Sequence, residues 1–278
     1  MTKKEIFQNN PEIQNTEINA SLSNFKESIT RHGIHIEKSV FTTQEVQNFS
    51  EKMDLIWDIQ LDRHGEEYLR KINEYGTVRC MMDYENIFLD LIQDERIFKY
   101  ISAIIGNTSI LHLQNGIILF PEKSHQQSNY HQDFAKNFIP DTALSLNSLV
   151  VIDRFDKESG GTFFIPGSHQ FTEKPSQEFI TKNEVQIYAN PGDVIFFDSM
   201  LWHKGGKNIS NKPRRAINHQ YTKPFIKQQI SYPDLLKDKV GIETKLAQIL
   251  GMWTIPPKTL DEFRVDNPSK RTYRGGQG

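Results

Sequence analysis

The chain has 278 residues, 37% of them hydrophobic and 11% aromatic, which suits a folded globular protein and argues against a disordered one. Thirty-three basic and 35 acidic residues give a net charge of −2, so overall charge does not favour a nucleic-acid or membrane partner. A single cysteine, Cys80, excludes an intramolecular disulfide. Without a secretory signal or an apolar run of transmembrane length, we expect a cytoplasmic protein.

Residues 1–20 are polar and predict an N-terminal arm. From 21 to 105 the pattern is mainly helical. Thr43 can cap the segment TQEVQNFSEKMDLIWDI, whose apolar residues recur at helical spacing, and YENIFLDLIQDERIFKYISAII repeats this pattern.

Short β-rich runs separated by turn residues fill the segment from 106 to 224. The candidate strands are SILHLQNGIILF, SNYHQDF, LSLNSLVVIDRF, GTFFIP, EVQIYA, DVIFFDS, WHKGG and RAINHQYT. Because no helical crossovers separate them, they predict an antiparallel jelly roll. Residues 225–278 predict a helical segment and a polar, basic tail, so that 21–278 form a single domain, mainly β with flanking helices.

One constellation in the jelly-roll segment suggests a metal site. His131 and Asp133 form an H-x-D pair, which on a strand places both side chains on one face. His203 follows the buried-looking strand DVIFFDS, and a strand some 70 residues further along a jelly roll can lie beside the first. Two imidazoles and one carboxylate form the facial triad of non-haem Fe(II) oxygenases, although by itself this pattern arises often by chance.

A pair of arginines adds a second signal. If 2-oxoglutarate chelates the iron through its keto acid end, its far carboxylate needs a cation in the pocket, and a guanidinium provides a bidentate partner. Arg214 and Arg215 open the strand RRAINHQY. Their side chains alternate between faces, so only one can point inward, and alternation does not decide which.

With these residues in place, the sequence resembles the phytanoyl-CoA dioxygenase family of Fe(II)/2-oxoglutarate oxygenases. The matching elements are HQD at 131–133, ESGGTFFIPGSH at 158–169 and PGDVIFFDSMLWHKGGKNISNKPRRA at 191–216. The resemblance runs from about Ile34 to the C-terminus and implies a double-stranded β-helix, another name for the jelly roll.

The resemblance also implies residue roles. His131, Asp133 and His203 would be the iron ligands and the catalytic centre, and Arg214, rather than Arg215, would anchor 2-oxoglutarate. Two glutamines occupy positions where relatives often contact cosubstrate or substrate, namely Gln132 and Gln114. Arg79 could reach an acidic substrate, or it could pair with a carboxylate on the surface.

The implied reaction uses Fe(II), 2-oxoglutarate and dioxygen to hydroxylate an unactivated C–H bond of a small-molecule metabolite, with decarboxylation of 2-oxoglutarate to succinate. The halogenating relatives lack the carboxylate ligand, so the presence of Asp133 favours hydroxylation. Two alternatives are a non-catalytic jelly-roll protein that binds a small ligand and retains the metal site, and a Zn(II)-dependent hydrolase. Neither gives the combination of triad and arginine a clear purpose.

Overall fold

The computed structural model describes residues 22–121, 128–133 and 142–264. The predicted arm at 1–20 and the basic tail at 268–278 lie outside these residues. The helices of the described part are α1 Leu22–His32, α2 Thr43–His64, α3 Glu66–Lys71, α4 Met81–Tyr84, α5 Ile87–Gln93, α6 Glu95–Ile105, α7 Gln177–Asn183, α8 Tyr232–Leu235, α9 Lys245–Ile249 and α10 Leu260–Phe263. None of them is long and apolar enough to cross a membrane.

Two antiparallel sheets form the β layer of the protein. The strands are β1 Ile34–Glu37, β2 Thr77–Arg79, β3 Ile110–Leu119, β4 Ser145–Val151, β5 Phe163–Phe164, β6 Val185–Gln186, β7 Val194–Asp198, β8 His203–Lys204 and β9 Arg214–Thr222. The large sheet has the order β1-β7-β4-β9-β3-β2, and the small sheet has the order β6-β5-β8. Every pairing is antiparallel, which confirms the predicted antiparallel architecture.

The large sheet is buried on both faces, as strand β7 illustrates. Val194 and Phe196 pack in the cluster that joins the sheet to the helices, together with residues such as Phe25 and Met53. Ile195 and Phe197 point to the other face and pack against Phe164 of the small sheet. Alternation along a strand buried on both faces produces the continuous apolar run that the sequence shows at DVIFF.

Several helix boundaries differ from those predicted. The cap of α2 is Thr42, not Thr43, because Thr42 forms a capping box with Glu45. The segment predicted as one helix at 84–105 contains α5 and α6, which separate at Asp94, whose side chain accepts a hydrogen bond from the backbone N–H of Arg96 and caps α6. The segment predicted as helical after 225 contains only short helices.

Three strand predictions also need correction. The region predicted as mainly helical supplies β1 and β2, which form the two outer strands of the large sheet. The run SNYHQDF is not a strand over its described residues 128–133, where His131 forms only an isolated β-bridge. Short strands and single bridges carry too few residues to give a reliable period-2 signal.

Strand β7 ends in a buried carboxylate, Asp198, which is 7% exposed. Its Oδ1 accepts a hydrogen bond from the backbone N–H of Met200 at 2.8 Å, and within the described residues no cation pairs with it. Burial raises the pKa of Asp198 to about 6, against the lowering effect of the Met200 bond. The folded state therefore binds this proton more tightly than the unfolded chain does.

We expect Asp198→Asn to stabilise the protein at neutral pH. Because the folded pKa lies above the unfolded value, wild-type stability falls as pH rises from about 4 to about 6, by roughly 3 kcal/mol at most. An amide keeps an oxygen acceptor for Met200 and does not ionise. Urea unfolding at several pH values checks this, and a gap between variant and wild type that does not widen as pH rises would contradict it.

Asp193→Asn is the matched control. Asp193 is also buried, but its carboxylate accepts hydrogen bonds from Lys38 Nζ at 2.9 Å and from the backbone N–H groups of Ser39 and Asn190. Loss of that paired charge should lower the free energy of unfolding, the opposite direction from Asp198→Asn.

Candidate active site

The three residues of the predicted triad lie together at the edge of the small sheet, beside β8. His131 and His203 form a β-bridge in which the N–H of each donates to the carbonyl of the other, at 2.9 and 3.0 Å. Asp133 is placed by a further backbone bond, from its N–H to the carbonyl of Ser199 at 2.9 Å. Backbone pairing therefore brings the two distant segments of the sequence together.

Both imidazoles are held with the same nitrogen toward the site. Nδ1 of His131 lies 2.8 Å from the carbonyl oxygen of Asn129, and Nδ1 of His203 lies 2.8 Å from that of Leu201. A carbonyl only accepts, so each Nδ1 carries the proton and donates. Each Nε2 is then an unprotonated lone pair, which is the form that binds a metal ion.

The carboxylate of Asp133 is oriented by a chain of polar side chains. Its Oδ2 accepts from Asn147 Nδ2 at 2.6 Å, and Oδ1 of Asn147 accepts from the hydroxyl of Ser199 at 2.5 Å. Ser199 also bonds the hydroxyl of Ser145 at 2.7 Å. This chain fixes one oxygen of Asp133 and leaves Oδ1 directed at the two imidazoles.

The three side chains can bind one metal ion. Oδ1 of Asp133 lies 3.4 Å from Nε2 of His131 and 3.7 Å from Nε2 of His203, and one ligand atom from each residue lies within 4.8 Å of the others. Burial would raise the pKa of Asp133, but the two imidazoles and Asn147 lower it to about 2. Burial lowers the pKa of His203 to about 4 against the opposing effect of Asp133. The carboxylate is thus charged and His203 neutral, as metal binding requires.

Arg214, the first residue of β9, is 4% exposed and lies near the triad. Its Nη2 donates to the carbonyl of Gly160 at 3.1 Å, and its guanidinium carbon lies 4.2 Å from the centre of the Phe155 ring. Its Nε has no hydrogen-bond partner within the described residues. Burial lowers the pKa of Arg214 to about 10, against the pull of Asp153. The site therefore contains a buried cation with free donor capacity.

Arg215 points to the opposite face, as strand alternation requires. Its guanidinium donates to both carboxylate oxygens of Asp54 and to Asp153, at 2.7 to 2.9 Å. Its charge is thus compensated outside the site. Between the two arginines, only Arg214 faces the triad.

Two cavities adjoin the triad and share Asp133. The first is narrow, with about 30 Å³ of free space, and is lined by Arg214, His203 and Asn218, among others. The second is more open, about 480 Å³, and is lined by His131 and by residues of β2, β3 and β9. Asn218 also lines both cavities, so it lies at their junction.

The two glutamines predicted to contact cosubstrate or substrate lie in different places. Gln132 lines the larger cavity, and its amide donates to the carbonyl of Met200 at 2.6 Å. Gln114 is fully buried on the other face of β3, where it bonds the N–H of Met82, the carbonyl of Phe88 and the ring of His219. The structure therefore does not bring Gln114 to the triad.

Arg79 lines the larger cavity and also makes an ion pair, so both interpretations of the sequence describe part of its position. Its Nε donates to Glu74 Oε2 at 2.7 Å, and its Nη2 donates to Glu74 Oε1. Its Nη1 donates to the side-chain oxygen of Asn115 at 2.8 Å. The guanidinium is on the wall of the cavity with its charge already compensated.

Comparison with known proteins identifies the family. The family model described as phytanoyl-CoA dioxygenase (PhyH) matches residues 29–216, more than half of the chain. The chain belongs to the PhyH family. It is also 35% identical over 269 residues to the uncharacterized protein Rv1501 of Mycobacterium tuberculosis, covering 94% of this chain and 98% of that protein.

Solved structures of two other proteins share the fold of this chain. EctD from S. alaskensis, solved with 2-oxoglutarate and 5-hydroxyectoine, has a TM-score of 0.62 and 19% identity, covering 76% of this chain and 82% of that one. The epimerase SnoN, in complex with Fe3+, alpha ketoglutarate and nogalamycin RO, has a TM-score of 0.56 and 17% identity, covering 72% and 83%. The predicted jelly roll is confirmed. The predicted iron and 2-oxoglutarate are ligands of these solved neighbours, and this chain has a group of three side chains that could hold a metal ion.

Sequence reasoning missed several polar residues of the site. Asn147 and Asn218 lie next to apolar residues on strands that are buried almost throughout, and an asparagine in such a place is a signal that could have suggested a buried polar role. A further group joins the neighbours of both histidines. Glu184, which follows α7, accepts from the hydroxyl of Tyr130 at 2.6 Å and from Lys204 Nζ at 3.2 Å. Tyr130 precedes His131 and Lys204 follows His203, so Glu184 links the two segments that form the β-bridge.

We expect Glu184→Ala to weaken metal binding by about tenfold, because partners that orient metal ligands commonly contribute that much. Anaerobic titration with Fe(II) or Co(II) measures the affinity. Glu178→Ala is the matched control, since Glu178 is exposed on α7. Equal affinities in the two variants would show that Glu184 does not position the histidines.

Proposed function

We propose that this protein is an Fe(II)- and 2-oxoglutarate-dependent dioxygenase that hydroxylates an unactivated C–H bond of a small-molecule metabolite, with decarboxylation of 2-oxoglutarate to succinate. The observation that carries the proposal is the narrow cavity that two residues of the triad and Arg214 line together. It is lined by Asp133 and His203 on one side and by the buried guanidinium of Arg214 on the other. A dicarboxylate that chelates a metal through one end needs these two groups.

The donor set supports iron as the metal. His131, Asp133 and His203 supply two neutral nitrogens and one carboxylate oxygen, the facial set that leaves positions open for other ligands. With Fe(II) bound, this set carries a formal charge of about +1. The cosubstrate brings two negative charges, one for the metal and one for Arg214, so each charge has an opposite partner.

The residues around the triad then have defined tasks. Arg214 would bind the far carboxylate of 2-oxoglutarate, using the Nε donor that has no partner among the described residues. Asn147 holds Asp133 and so keeps one ligand atom aimed at the metal. Phe164 and Phe197, whose ring centres lie 5.5 and 4.9 Å from that of His203, shield its imidazole from water.

When bound, iron would supply the activation of dioxygen. The protein would bind the substrate in the larger cavity, beside His131 and Asp133, and hold the reacting C–H bond in place. The presence of Asp133 supports transfer of a hydroxyl rather than of a halide.

The test is to add Fe(II) and 2-oxoglutarate anaerobically, to look for the visible charge-transfer band, and then to admit oxygen and measure succinate. We expect both signals, and we expect product mass to rise by one oxygen atom when a substrate is present. Product with an unchanged mass and an inverted stereocentre would indicate epimerisation instead. Asp133→Ala should abolish metal-dependent succinate release.

We expect Arg214→Ala to raise the 2-oxoglutarate concentration needed for half-maximal succinate release by roughly 100-fold, because the loss of one partner of a buried charge pair commonly costs 2–5 kcal/mol. Arg215→Ala is the control. It removes bonds to Asp54 and Asp153 and should lower the melting temperature without changing this requirement. If Arg215→Ala has the larger effect on the requirement, the assignment of the anchor is wrong.

A further inference from the structure

The larger cavity carries a second inference, because carboxamides make up most of its polar wall. Among the described residues, the polar ones that line it, apart from the triad and Arg79, are Thr77, Asn115, Asn129, Gln132, Asn218 and Gln229. The described apolar lining comprises Leu113 and Ile117. A volume of about 480 Å³ lies within the usual range of small-molecule sites.

The positive charge on the described part of the cavity wall is compensated. Arg79 is the only lysine or arginine among the described residues that line it. A guanidinium has five N–H donors. Two donate to Glu74, and Nη1 donates to Asn115 and to Gln229, at 2.8 and 3.3 Å. The ion pair leaves no uncompensated cation on the described wall for an anionic substrate.

The same contacts orient the carboxamides. Because Arg79 binds the side-chain oxygens of Asn115 and Gln229, their NH₂ groups remain to donate to a ligand. Asn218 faces Asn115 in the register of β3 and β9 and is 7% exposed. Its Oδ1 is buried and has no partner within the described residues. The wall therefore offers both donors and an acceptor, the pattern that hydroxyl groups match.

We propose that the primary substrate is an uncharged, hydroxyl-rich small molecule, such as a polyol or a glycoside, held in the larger cavity by the side chains of Asn115, Asn218 and Gln229. This inference rests on the proposed function, because it assigns the substrate of the same site. A ligand hydroxyl can accept from the amides and donate to Asn218 at once. Leu113 and Ile117 would contact its carbon skeleton.

Two other substrate classes fit the wall less well. The phosphates of an acyl-CoA thioester need cations, and the one arginine on the described part of the wall is already paired with Glu74. An apolar scaffold would bury carboxamides without hydrogen bonds, which costs about 1–3 kcal/mol for each group. A neutral polyol avoids both costs.

The experiment compares matched neutral and anionic compounds. Anaerobic enzyme with Fe(II) and 2-oxoglutarate is examined by saturation-transfer NMR with glucitol and gluconate, and with methyl glucoside and methyl glucuronide. Acetyl-CoA and camphor represent the other classes. Oxygen is then admitted and succinate release is measured above the rate without substrate. We expect neutral members to bind better than their anionic counterparts and to accelerate succinate release.

A charge variant sharpens the test. Glu74→Gln removes the carboxylate that compensates Arg79, so preference should shift toward the anionic member of each pair by about fivefold to tenfold. Glu66→Gln is the matched control, because Glu66 forms the same kind of ion pair with Arg70 on α3, and neither residue lines the cavity. The control should keep the wild-type preference.

The outcomes separate the two proposals. Stronger binding of the anionic, CoA or apolar compounds by the wild type contradicts the substrate class, as does the absence of binding by every neutral compound. So does an unchanged preference in Glu74→Gln. In all of these cases the charge-transfer band and basal succinate release would persist. Loss of the band and of succinate in every sample would instead contradict the proposed function itself.

Discussion

Two backbone hydrogen bonds between His131 and His203 are the constraint on which the site depends. They set the spacing of the two histidines through the backbone, and the bond from Asp133 to Ser199 adds the carboxylate by the same means. The side-chain bonds to Asn129, Leu201 and Asn147 then select the nitrogen or oxygen that faces the centre. Backbone pairing therefore fixes where the three ligands lie, and their side-chain hydrogen bonds fix which atom of each faces the metal position.

The two arginines on β9 show how strand alternation divides roles. Arg215 is compensated by two aspartates on the helix-facing side of the sheet, where it ties α2 to the loop after β4. Arg214 is buried with one carbonyl acceptor and an aromatic ring among its described contacts. Burial of a cation with so few partners is unfavourable for the fold alone, and such costs are typical of functional sites.

Much of this arrangement could be predicted from the sequence. The jelly-roll segment, the residues that form the triad and the choice of Arg214 followed from motifs with long matching segments. Asn218 and Glu184 could not be found in the same way, because their roles depend on which segments become neighbours in space. The outer strands were also missed, since three or four residues such as Thr77–Arg79 carry little periodic signal. The position of Gln114 shows the limit of family analogy, because its direction on β3 places it away from the triad.

The origin of β1 and β2 gives the N-terminal region a role beyond covering the sheet. The jelly-roll segment from 106 to 224 supplies the four inner strands of the large sheet, and both outer strands come from residues before it. A fragment that began at residue 106 would expose β7 and β3 as edges with unpaired backbone groups, the kind of edge along which chains aggregate. The helical region therefore completes the large sheet of the β core.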